Sequence, residues 1–186
     1  YAANPNGGKQ VVTSSDGLNY SQMINKTLYG AVAYDQAFGY LANYDDAMPD
    51  NVDPKSEGGS YTVAEHKWDE AFGYFGARRD FLTPGDVGSC IDLTSEHNFG
   101  WASYATKRDN DTENIAYRNG VMFKADIFNA FVAGRAIIHN EGTIDELAPH
   151  MATIRTRFEQ LCAANVVHYV HSVLNAMGDL TSTSGA

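Results

Sequence analysis

No uninterrupted apolar run in this 186-residue chain approaches the roughly 20 residues needed to cross a bilayer, which argues against a transmembrane helix. Lys and Arg are scarce and scattered, with no basic cluster beyond the Arg78-Arg79 and Lys107-Arg108 pairs. Thirteen basic residues against twenty-three acidic ones leave a formal charge of -10. Binding to a phosphate backbone needs a positive footprint, so nucleic acid does not fit as a partner. Two cysteines, Cys90 and Cys162, are too few for a disulfide framework and read as separate thiols or as one bridge. Absent too are a nucleophile elbow, a phosphate loop, a dinucleotide fingerprint and the His-Glu-x-x-His pattern of zinc peptidases. The sequence starts without an initiator Met or a signal peptide, as a processed protein, a fragment or a trimmed form would.

What is present suits one helical core. Apolar residues make up 44% of the chain, enough to fill a core at this length. Residues 1–18 are rich in Gly, Asn and Ser and read as an irregular arm. Helical periodicity then begins near Asn19 or Ser21, with Ile24, Leu28, Ala31, Phe38 and Ala42 as one stripe. Pro, Gly and Asp mark residues 44–61 as a loop. Thr62 and Glu65 have the spacing of a capping box opening a second helix to about Ala77, which buries Ala64, Trp68, Ala71, Phe72 and Phe75. After Thr83-Pro84-Gly85 a short helical piece fits Phe99–Thr106. A third long helix fits Ile115 or Asn119 through His139, with the Gly of Asn140-Glu141-Gly142 as its left-handed cap. Thr143 caps a short helix before Pro149, and the last long helix spans about Met151–Met177, burying Ile154, Phe158, Leu161, Val166, Tyr169 and Val173. The expectation is an all-α bundle of about four long amphipathic helices with long irregular loops, a helical domain over 19–178 and a polar tail over 179–186. One echo, Tyr34-Asp-Gln-Ala-Phe-Gly-Tyr and Trp68-Asp-Glu-Ala-Phe-Gly-Tyr, has the 34-residue period of a helical repeat. A repeat-like assembly module is therefore an alternative, though no third copy follows.

Several polar residues fall on apolar stripes. Asp35 lies on that of the first helix, and Arg135 and His139 continue the stripe Val121, Ala125, Phe128, Val132 of the third. A buried Arg cannot shed its charge and is best matched by a carboxylate. Asp35, Asp69 and Glu70 are the candidates, either as an interhelical lock or as part of a ligand site. His66 and Glu70 stand one helical turn apart, and Gly73 one turn further on leaves room for a backbone or a ligand. With His139 they form a candidate zinc or iron set; His168 and His171 are the alternative ligands. Each of these histidines also reads as an ordinary packing or surface residue. Oxygen ligands for calcium are offered by Asp109, Asp111 and Glu113, and by Asp45, Asp46, Asp50, Asp53 and Glu57. Neither set follows the calcium-loop order, so a solvated loop is the simpler reading.

The stretch Glu65-His66-Lys67-Trp68-Asp69-Glu70-Ala71-Phe72-Gly73-Tyr74-Phe75-Gly76 resembles the domain-of-unknown-function family numbered 4856. The preceding Gly58-Gly59-Ser60-Tyr61-Thr62, the earlier Leu28-Tyr29-Gly30-Ala31, the run Ile127–Ile138 and Ala163-Ala164-Asn165-Val166-Val167-His168-Tyr169 are similar to it as well. The resemblance implies an exported bacterial protein, secreted, periplasmic or outer-membrane-associated and often a lipoprotein, of which this chain is the C-terminal half. An N-terminal half as a separate chain, or another subunit, would then cover part of its apolar surface. The family is also similar, distantly, to imelysin-like envelope proteins linked to iron, whose motif has the form Gly-x-His-x-x-Glu. Here His66 is followed by Asp69 at three positions and Glu70 at four. The function these residues imply is a non-enzymatic exported or cell-envelope helical protein that binds a ligand, a metal ion or a partner subunit. A metal-dependent hydrolase or peptidase using His66 and Glu70 is the enzymatic alternative.

Overall fold

The structure, a computed structural model, describes residues 13–52, 59–82, 99–110 and 120–182, with side chains to residue 178 in the last helix. It is all-α, with no strand among the described residues. In chain order it comprises α1 (Tyr20–Leu28), a π-helical turn (Tyr29–Tyr34), α2 (Asp35–Ala42), α3 (Val63–Phe75), α4 (Gly100–Asp109), α5 (Phe123–His139) and α6 (Ile144–Ser182). The chief helix pairings are α2 with α3 and α5 with α6.

The ends of these helices follow local chemistry. Asn19 caps α1 by accepting from the Gln22 N–H at 3.0 Å. Thr62 and Glu65 form the full reciprocal capping box of α3. Gly76 closes α3 at φ 85°, where a Cβ would collide with the Phe99 carbonyl. That close approach joins α3 to α4, through a 2.9 Å bond from Phe99 N–H to the Gly76 carbonyl. The third long helix expected from sequence starts only at Phe123, and its cap comes from elsewhere. Both carboxylate oxygens of Asp109, at the end of α4, accept N–H bonds from Phe123 (2.9 Å) and Lys124 (2.7 Å).

Two boundaries correct the sequence reading. At the end of α5 the left-handed residue is Glu141 (φ 55°), not Gly142. Gly142 N–H reaches back to Ile137 and Glu141 N–H to Ile138, a Schellman arrangement that puts Gly142 one position later. A second capping box, Thr143 with Glu146, then opens α6, which runs through Pro149 without a break. Pro149 stands in the second turn, so it removes a single early helical bond, and Leu147 and Met151 on either side are buried in the core.

Trp68, Phe75, Phe81, Phe131 and Phe158 are fully buried, and Phe75 meets the rings of Phe81, Phe131 and Phe158 at 5.4–6.1 Å. The α3 residues expected inside are inside, with Phe72 half-buried. The first-helix stripe is mostly not: Phe38 is half-buried, but Ile24, Leu28, Ala31, Asp35 and Ala42 are exposed, and Ala37, Leu41 and Tyr44 are buried instead. α1 buries no residue on any face. Beyond it, the wider step of the π-helical turn shifts the helical phase, so that α2 presents a different face from the one expected. The expected α5 stripe holds in part: Phe128 is buried, but Val132 and His139 are exposed, and Ile127, Ala130, Phe131, Gly134 and Ile138 also face the core. In α6, Ile154, Phe158 and Leu161 are buried as expected, whereas Val166, Tyr169 and Val173 are exposed by half or more.

Candidate functional site

Two regions carry the chemistry. The first is the α3–α5 interface. Gly134 lets the Trp68 ring lie on the α5 backbone, where a Cβ would overlap the ring. The Trp68 indole N–H donates to the Phe131 carbonyl at 2.8 Å. One turn beyond Phe131, Arg135 donates to Glu65 (Nη1 to Oε1, 2.6 Å) and to Asp69 (Nε to Oδ1, 3.0 Å). His139 Nδ1 lies 3.0 Å from the same Glu65 oxygen. The other Glu65 oxygen accepts the Thr62 N–H. Burial by itself would raise the Glu65 pKa; the bonds from His139, the Thr62 backbone and Arg135 overrule it and hold the carboxyl at about 2. Arg135 is shifted the other way, upward, because the two acids outweigh its own burial.

This arrangement brings together Arg135 and Asp69 from the expected polar cluster and adds Glu65, whose sequence signal was its capping-box position. It leaves out Asp35, which is exposed for the reason given above. Glu70 turns to His66 instead, at 3.8 Å, and both are about one-third exposed. His66 stacks on Tyr61, with ring centroids 5.3 Å apart. His139 therefore joins Glu65, not His66 and Glu70. Among the described residues no group of three or more His, Cys, Asp or Glu side chains converges as a metal-binding set would. Gly73 faces open space rather than a neighbouring backbone. His168 and His171 lie on the outer half of α6, where the His168 ring meets that of Tyr169. Asp109 caps α5, while Asp111, Glu113, Asp53, Glu57 and Cys90 lie outside the described residues. Asp45 pairs with Arg155 at 2.6 Å, and Asp50 accepts the Val52 N–H.

The second region was not read from sequence. A groove of about 840 Å³ runs between α1 with the π-helical turn, α4 and the middle of α6. Its walls are the rings of Tyr29, Tyr34, Trp101, Tyr104 and Tyr169. The Trp101 indole N–H donates to the Tyr29 carbonyl at 3.2 Å, fixing α4 against the turn, and Tyr29 meets Trp101 and Tyr104 edge-on. Lys26 donates to the Tyr104 hydroxyl, and its ammonium stands 4.7 Å from the Tyr104 ring centre. Cys162, a free thiol, lines the groove, and burial followed by the nearby Glu159 charge pushes it up to about 11. Asn165 lines it too. Its amide N–H bonds the Leu161 carbonyl at 2.9 Å, while its Oδ1 is buried without a partner. The signal in the sequence was spread too thin to find: one aromatic per turn on three separate segments.

Neither a curated protein nor a solved structure matches the chain. The model of the domain of unknown function DUF4856 matches residues 2–185, and the chain belongs to that family.

Proposed function

We propose that this protein is a non-enzymatic binding module of the cell envelope or exterior, and that its binding surface is the aromatic groove rather than the α3–α5 polar cluster. One observation carries this reading. The groove has the volume and mainly apolar lining of a small-molecule site, with a few polar groups set into it. The polar cluster has the opposite character, because its carboxylates are already neutralised by Arg135 and by internal hydrogen bonds. A metal ion placed between Glu65 and Asp69 would meet a guanidinium. The location outside the cytoplasm rests on the family likeness alone, and fractionation of cells producing the native gene product tests it.

Binding of the neutral dye Nile red tests the groove. Gly30 lines it, and a Cβ there meets nothing within 4 Å, so Gly30→Trp is the variant chosen to obstruct the space. Saturable dye binding to the native chain, weakened about tenfold by Gly30→Trp, is the expected result. Unchanged binding in the variant would overturn the reading.

A second reading concerns a partner subunit, either an N-terminal half as a separate chain or another protein. Ala163, Val166, Val170, Val173 and Met177 alternate three and four residues apart and are all exposed. That spacing forms a seam on which another helix can pack. Native mass spectrometry is expected to show a co-purifying chain; a monomer at all concentrations would count against it.

A further inference from the structure

The groove has an electrostatic character that narrows its ligand, given the reading of it as a binding surface. Its walls are electron-rich ring faces, and Glu159 adds a carboxylate. Lys26 is the cation among the described residues that line it, and the Lys107 ammonium stands beside it, 5.7 Å from the Tyr104 ring centre. The Lys26 ammonium sits 4.7, 5.5 and 5.9 Å from the ring centres of Tyr104, Tyr29 and Tyr169, which is the geometry of cation–π attraction. The aromatic walls are thus already used to hold an alkylammonium, and that ammonium is supplied by an exposed side chain on α1. Glu159 is exposed at the groove and Asn165 beside it is nine-tenths buried, its Nδ2 donating to the Leu161 carbonyl. Rings and a carboxylate call for the same partner, one that is positive and carries N–H groups. The net charge of -10 favours the approach of a cation over that of an anion.

We propose that the groove binds a small organic amine, a protonated nitrogen on an apolar, ring-sized body, with its N–H groups directed to Glu159 and its charge among the tyrosine rings. Lys26 is then an internal stand-in, which the ligand displaces. This is distinct from a site for fatty acids or other anionic amphiphiles, which would use Lys26 as their counter-ion. The two models predict opposite effects of removing Lys26.

Isothermal titration of the full chain with 2-phenylethylamine, 2-phenylethanol and 3-phenylpropanoate separates them. The amine is expected to bind saturably with one site, at least about tenfold tighter than the neutral or anionic probe. Lys26→Met removes the competitor and is expected to tighten amine binding several-fold. Glu159→Gln removes the carboxylate of the groove and is expected to weaken the amine several-fold. Weaker amine binding in Lys26→Met, or an alcohol or carboxylate probe that binds as tightly as the amine, would overturn the proposal. If one of those probes binds and Gly30→Trp blocks it, the groove remains a binding surface for another class of ligand. If no probe binds, amine selectivity is refuted, and the Nile red titration decides the groove separately.

Discussion

The α3–α5 interface and the outer half of α6 are built from similar materials and have opposite outcomes. Both present apolar residues at helical spacing with histidines among them. At the interface every strong polar group is answered: Glu65 by Thr62, Arg135 and His139, and Trp68 by the Phe131 carbonyl. Beyond Asn165, α6 has left the core, and Val166, Val170, Val173, Leu174 and Met177 are exposed. The difference lies in what faces each helix, not in its own residues. Gly134 allows a tryptophan to approach α5, whereas the outer half of α6 turns Val166 and Tyr169 to the groove and leaves Val170, Val173 and Leu174 exposed. One region is finished and structural. The other is open, and openness is what a binding role requires.

The largest test of this contrast is Trp68→Ala. It empties the centre of the closed region and should cost about 3–5 kcal/mol in denaturant unfolding. A loss under 1 kcal/mol would mean that the interface is not closed as described.

Glu65→Gln comes next. The native Glu65 carboxyl binds a proton less readily when folded (about 2) than at its ordinary value of 4.5. Its contribution is therefore complete above pH about 4.5 and is lost as the pH falls towards about 2. At neutral pH the shift corresponds to about 3 kcal/mol, as an order of magnitude. The variant should be less stable at pH 7 and should show a flatter acid limb than the native chain. An unchanged acid limb would remove Glu65 from the account.

A smaller effect is expected for Asp109→Ala, which uncaps α5 and should cost about 1–2 kcal/mol by thermal unfolding. The smallest belongs to the open region. Val173→Gln should alter stability by no more than about 0.5 kcal/mol, because that side chain already faces solvent. A large loss there would mean that the outer half of α6 is packed after all.

Much of the closed region was legible in the sequence. The capping-box spacing of Thr62 and Glu65 placed the start of α3, and the position of Arg135 on an apolar helix called for an acid, which Asp69 partly supplies. That Glu65 serves both as cap and as counter-ion was hidden, since its two oxygens make separate partnerships at sequence distances of 3 and 70. Asp35 was misplaced because periodicity assumes constant helical phase, and the π-helical turn at Tyr29–Tyr34 changes it. The exposed stripe of α6 was misread because hydrophobic spacing shows that a face wants burial, not that anything buries it. The groove depends on where α1, α4 and α6 cross, which no single segment encodes.

The central claim is that stability and binding reside in different regions. It is tested most directly by measuring Nile red affinity and thermal unfolding for Glu65→Gln and Gly30→Trp side by side. The account predicts that Glu65→Gln melts lower but binds the dye as the native chain does while folded, and that Gly30→Trp melts normally but binds about tenfold more weakly. Loss of binding in folded Glu65→Gln, with native affinity in Gly30→Trp, would contradict it.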